Sequence, residues 1–135
     1  MHFLEKGVTM NSDRYIETLE ERLPTHMHIH GTDTFMQDNA PCHRSRKTMA
    51  WFAEADIEVF EWPGNSPDLN PIENLWHLAK MKLQGKNTGS VPKLIRAIQD
   101  MWVHDLTPEY CKKLVDSMPR RLRRVIDAKG NMTKY

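Results

Sequence analysis

Residues 62–76 read Trp62-Pro63-Gly64-Asn65-Ser66-Pro67-Asp68-Leu69-Asn70-Pro71-Ile72-Glu73-Asn74-Leu75-Trp76. Three prolines and a glycine between Pro63 and Pro71 exclude regular structure and fix many backbone dihedrals. Asn70-Pro71 then opens a helix, with Asn as cap and Pro at the first helical position. Ile72, Leu75, Trp76, Ala79 and Leu83 keep the i, i+3, i+4, i+7, i+11 pattern of one apolar face, and Gly85 stops it. Glu73 falls in the first turn and has two readings. Asn70-x-x-Glu73 is a capping box, in which the carboxylate bonds back to the cap N–H. Alternatively, so rigid an approach suits a ligand that must be held still.

Upstream, Ile57 to Phe60 reads as a strand, Ser45 to Ala55 as a helix burying Met49, Phe52 and Ala53, and Thr34 to Gln37 as a short buried strand. Strand, helix and strand at this spacing predict a parallel crossover unit, hence an α/β fold. Asp38 closes the first of these strands, where open α/β sheets place their ligands. Asp38-Asn39-Ala40-Pro41 is also good turn chemistry on its own. Between Asp38 and Glu73 lie 34 residues. One carboxylate at a strand end and another in a first helical turn can converge on a hard cation. The third carboxylate that such a site usually needs is not visible.

The remaining segments are simpler. Met1 to Glu5 reads as a strand that starts without lead-in, and Gly7 as a turn. Asn11 or Ser12 caps a helix to about Leu23, with Tyr15, Ile16, Leu19 and Leu23 on one face and Pro24 as its end. Residues 25–33 form a polar loop. There His26, His28 and His30 alternate, as three solvated side chains or as a metal-binding trio on one side of an extended segment. Helices follow over 91–104, from Thr107-Pro108 through Met118, and from Pro119 to about Ala128.

The 135 residues suffice for one domain with a real core. Net charge is +1, but residues 118–135 carry six Lys or Arg against Asp127 alone. This basic tail on a mildly acidic body points to a polyanionic partner. Arg120-Arg121-Leu122-Arg123-Arg124 reads as a DNA-contacting surface, a nuclear import signal or a solvated helix face. Cys42 and Cys111 have neither paired spacing nor a zinc pattern, and read as two reduced thiols of an intracellular chain. No secretory segment or membrane span is evident, so the chain reads as soluble and not secreted.

Gln37-Asp38-Asn39-Ala40-Pro41-Cys42-His43, the 62–76 motif and the 34-residue interval resemble the catalytic-domain end of mariner-like (Tc/mariner superfamily) DDE transposases. Gly7 to Tyr15 is more weakly similar to the segment before that family's second acid. The resemblance covers nearly all of the chain. It implies a ribonuclease-H-like fold in which Mg²⁺ (or Mn²⁺) ions, held by three acids, activate water and then a DNA 3′ hydroxyl. It makes Asp38 the second acid and Glu73 the third, both catalytic and both metal ligands. His43 would touch substrate phosphate or orient an acid, or else be a satisfied helix-start histidine. Arg120, Arg121, Arg123 and Arg124 would meet nucleic acid.

The family's first acid lies upstream of the segment that matches Met1 to Glu5, as do paired helix-turn-helix domains. The expected organisation is therefore a truncated ribonuclease-H-like domain over residues 1–105 that lacks its first two strands. A basic helical extension follows over 106–135. Its small, mostly parallel sheet is flanked by helices. The expected function is a transposase-derived DDE endonuclease domain that is not self-sufficient in strand transfer. The alternative is a domesticated DNA-binding or protein-interaction module built on the basic helix. Expected partners are DNA and a second copy or another chain that completes the sheet, with no membrane and a nuclear location.

Overall fold

The computed structural model describes residues 3–133. The chain divides into two compact units, Met1–Gly64 and Asn65–Tyr135.

In the first unit, α1 (Ser12–Glu20) and α2 (Leu23–His30) precede β1 (Thr34–Phe35), α3 (Arg46–Glu54) and β2 (Glu58–Val59). Caps set the helix starts. The Asn11 side chain accepts from Arg14 N at 3.0 Å and Ser45 Oγ from Thr48 N at 3.1 Å. β1 and β2 pair in parallel, Thr34 opposite Glu58 and Phe35 opposite Val59, with α3 as the crossover. The expected crossover is present, although each strand is shorter than its apolar run. Leu19, Met27, Phe52 and Ile57 form the core, packed around by Tyr15, Leu23, Phe35, Met49, Trp51 and Val59. Thr48, unexpected as a core residue, is fully buried where Ala53 is exposed. Its hydroxyl donates to Cys42 O at 2.7 Å, so its burial leaves no unsatisfied donor.

Two expectations fail here. Pro24 does not end structure but sits in the first turn of α2, where its missing N–H costs nothing. Gly31 closes that helix in the left-handed conformation (φ 60°), which a glycine adopts without strain. The histidine trio is therefore helical, not extended. His26 and His30 lie one turn apart with rings 4.3 Å apart, and His28 is rotated away from them. The expected first strand also fails in part. Met1 and His2 lie outside the described residues, and Phe3 to Glu5 form no strand. Val8 N instead bonds to Glu5 O at 3.0 Å in a turn around Gly7. Three residues without a neighbour have no ladder to join.

The second unit contains α4 (Ile72–Leu83), α5 (Val91–His104), α6 (Pro108–Asp116) and α7 (Met118–Asp127). All four were expected. α4 packs on α5, and a Lys82–Asp105 ion pair of 2.6 Å joins the end of one to the end of the other. Thr107 Oγ1 caps α6 by accepting from Tyr110 N at 3.2 Å. Leu69, Ala79 and Met101 are its buried apolar side chains, and Arg121 is buried with them. Among the described residues no helix is long and apolar enough to cross a membrane.

Phe52, at 1% exposure, is the most deeply buried apolar side chain of the first unit's core. Phe52→Ala should cost about 3–5 kcal/mol in urea unfolding. Ile29→Ala, at a site 71% exposed, should stay within about 0.5 kcal/mol of wild type. Equal costs at the two positions would contradict this core.

Candidate functional site

Asp38 follows β1 by three residues and stays exposed. Its Oδ1 accepts from Ala40 N at 2.9 Å, the turn anticipated from Asp-Asn-Ala-Pro. The same oxygen meets His43 Nδ1 at 2.6 Å. Oδ2 has no partner among the described residues. One oxygen therefore anchors the carboxylate and the other is left to bind. The turn reading and the ligand reading are compatible, because they use different atoms.

His43 is itself held from two sides. Its ring stacks on Tyr15 with centroids 4.0 Å apart. Tyr15 Oη donates to Gln37 Oε1 at 2.7 Å, and Gln37 Nε2 donates to His43 O at 3.2 Å. Tyr15, Gln37 and His43 thus form a closed ring around the base of Asp38. Tyr15, 23 residues upstream of the acid, was read from the sequence only as an apolar helix position. Gln37 is buried beside the acid, and the strand pattern did not distinguish it. Beyond Asp38, Asn39 Nδ2 donates to Trp62 O at 2.8 Å and ties this loop to the segment that follows β2.

The electrostatics agree with the geometry. The Ala40 N–H holds the Asp38 carboxyl below its usual range, slight burial opposes this, and His43 adds to the lowering by hydrogen bond and charge. Burial, then the nearby Asp38 carboxylate and Cys42, push the Tyr15 phenol far above its ordinary value, so it remains a donor.

Glu73 lies in the other unit, exposed in the first turn of α4. The capping box is not formed. The Asn70 N–H goes to Pro67 O at 3.3 Å, while Asn70 Oδ1 accepts from Ile72 N at 3.2 Å. The Glu73 side chain has no hydrogen-bond or ion-pair partner among the described residues. Its backbone is restrained by consecutive turns: Leu69 N to Ser66 O at 3.2 Å, Glu73 N to Asn70 O at 3.2 Å, and Asn74 N to Pro71 O at 3.1 Å.

The basic cluster divides. Arg120, Arg123 and Arg124 are exposed on α7, whereas Arg121 is 1% exposed. Arg121 Nε donates to Ser117 Oγ at 2.8 Å, Nη1 to Asp68 O at 3.0 Å and Nη2 to Asn74 Oδ1 at 2.7 Å. Arg121 is thus corrected from a nucleic-acid contact to an interior residue. Its neutral-looking place in a run of arginines gave no sign of this. Asp68 is gripped again by Thr133, whose N and Oγ1 both donate to Oδ2 at 2.8 Å. Burial raises the Asp68 pKa, and these bonds outweigh it, leaving the group below its ordinary value.

Asp38 and Glu73 are hard oxygen donors of the kind that holds Mg²⁺ or Mn²⁺. Among the described residues no three His, Cys, Asp or Glu side chains gather into a metal-binding group, the α2 histidines included.

A family model described as DDE superfamily endonuclease matches residues 1–95. The Transposable element Tc1 transposase of Caenorhabditis elegans is 40% identical over 101 residues, covering 75% of this chain and 37% of its own length. The Transposable element Tc3 transposase of the same organism is 38% identical over 130 residues, covering 93% of this chain and 39% of its own length. The present chain therefore spans well under half of these relatives. Among solved structures, the Mos1 mariner transposase catalytic domain matches with a TM-score of 0.83 at 22% identity, over 98% of this chain and 69% of that one. That likeness is one of fold, and the fold is ribonuclease-H-like. The protein is a DDE-type domain by class. It belongs to the DDE superfamily endonucleases, as a transposase domain of the Tc1/mariner type.

Asp38 should titrate below the usual carboxylate value of about 3.9. A depressed folded pKa makes its contribution to stability complete above the unfolded value and lost as pH falls through the folded one. The side-chain carboxyl ¹³C resonance of Asp38 should report that midpoint, with Ala40 N–H exchange accelerating over the same acid range. A midpoint at or above 3.9 would contradict the anchoring of Oδ1.

Proposed function

We propose that this chain supplies two acids, Asp38 and Glu73, to the metal-dependent DNA cleavage and joining reaction of a transposase. The observation that carries the reading is the unspent oxygen on each. Among the described residues, Asp38 keeps Oδ2 open while Oδ1 is anchored, and the Glu73 side chain stands without a partner on a restrained turn. Mos1 catalytic-domain structures have been solved with Mg and with Mn, which supports a divalent ion for this family. A bound ion of this type lowers the pKa of an attacking hydroxyl and stabilises a leaving oxygen. Asp38 and Glu73 are each oxygen donors suited to such an ion, and the Ala40 N–H and His43 would keep the Asp38 carboxylate ionised and aimed. Because His43 Nδ1 is spent on Asp38, orienting that acid is its role, and any phosphate contact falls to Nε2. The third carboxylate of the reaction lies outside this pair. A second copy or another chain is the partner that would complete the two-stranded sheet.

Calorimetric titration of Mn²⁺ should show binding that weakens at least about tenfold in Asp38→Ala. Equal affinity in wild type and variant would remove Asp38 from the metal site. Supercoiled plasmid should stay closed with the 135-residue chain and Mn²⁺, since no third carboxylate gathers with either acid among the described residues. Wild-type nicking that Asp38→Ala abolishes would establish a self-sufficient nuclease instead.

DNA is the partner, as in a Mos1 paired-end complex with a transposon end. Arg120, Arg123 and Arg124 recur at i, i+3 and i+4 on the exposed face of α7 and suit phosphate contact, and the same cluster suits nuclear import. Replacing all three by Gln, with Arg121 left in place, should lower the slope of log affinity against log salt by about 2.7. An unchanged slope in gel-shift titrations would exclude this face.

A further inference from the structure

We infer that Arg121 is a positioning residue for Glu73, coupling the C-terminal helix to the acid-bearing turn. The inference rests on the reading of Glu73 as a metal ligand. Asp68 and Asn74 bracket Glu73, five residues before it and one after, and the Arg121 guanidinium reaches both. Nη1 holds the Asp68 carbonyl at 3.0 Å and Nη2 the Asn74 side chain at 2.7 Å. Nε is fixed on Ser117 Oγ at 2.8 Å, and that hydroxyl donates in turn to Leu114 O at 2.6 Å. The fork is thus aimed from its own helix before it meets the loop.

A planar guanidinium can span two acceptors in fixed directions, which a single ammonium cannot. Asp68 is also clasped through its carboxylate by Thr133, so this loop residue is held at backbone and side chain alike. Leu69 is buried beneath the turn. These side-chain restraints act on the residues around Glu73, while its own carboxylate has no partner among the described residues. A metal ligand without bonds of its own depends on such a frame for its aim.

The test uses the full chain and Mn²⁺, with paramagnetic broadening of amide resonances giving a dissociation constant at Ile72 to Asn74. Arg121→Lys should raise that constant about tenfold. It should also accelerate hydrogen exchange at the Glu73 and Asn74 amides, while α5 amides keep their protection. A general loss of stability would instead speed exchange throughout the unit. An unchanged dissociation constant in a folded Arg121→Lys chain overturns the inference. Should that variant unfold the unit, Asn74→Ala decides, since it removes one arm of the fork and leaves the charge in place. Weaker Mn²⁺ binding supports the coupling, and unchanged binding overturns it. Glu73→Gln separates the two layers of the argument. If it leaves broadening at Ile72 to Asn74 unaltered, the ligand assignment fails. The positioning role is then judged on exchange alone, with unaltered exchange at Glu73 and Asn74 in Arg121→Lys overturning it.

Discussion

A guanidinium removed from water needs an oxygen for each direction in which it donates, and that requirement organises residues 65–135. Leaving a buried charge short of acceptors costs several kcal/mol in typical cases. Three acceptors of Arg121 come from separate parts of the sequence: Ser117 on α7, Asp68 in the proline-rich loop and Asn74 in the first turn of α4. These must arrive together for the charge to be tolerated. α7 cannot dock, in consequence, without fixing the loop that leads into α4.

The first unit solves a similar problem without a buried charge. Asp38 remains at the surface, and its placement comes from neutral groups stacked behind it. A two-residue parallel pairing directs the chain out of the sheet at Phe35. The Tyr15, Gln37 and His43 ring then fixes the imidazole that meets Oδ1. The strategies differ, yet both leave carboxylate oxygens unspent. Rigid surroundings and an unpartnered donor are the features that separate a ligand from a structural acid.

Much of this was legible in the sequence, and the reasons are local. Asn70-Pro71 marked the start of α4 to within a residue, because such signals act within a few residues, although Pro71 rather than Asn70 holds the cap position and Ile72 is the first helical residue. The apolar spacing of 72–83 and of 91–104 marked helices because burial of one face is written in that spacing. The crossover from β1 through α3 to β2 followed from the same kind of signal. Pro24 misled, since proline both ends helices and begins them, and only the glycine at 31 distinguishes the two cases. The capping box at Asn70 and Glu73 misled because the competing acceptor, Pro67 O, is a backbone atom that no side-chain pattern displays. Arg121 was illegible for a further reason. Its partners lie 47 and 53 residues away, and a run of arginines looks alike whether one member faces inward or none does.

The Asp68–Thr133 contact closes 65 residues of chain, and Arg121 must also be in place before the turn at Glu73 is framed. On a ribosome, Glu73 is made well before either brace. At about 5–20 residues per second, Thr133 follows it by roughly 3–12 s. The acid-bearing turn is therefore framed only after the chain has been made as far as Thr133. A nascent chain paused before Thr133 carries the carboxylate without its frame, so order of synthesis alone delays a framed Glu73 until Thr133 has been made.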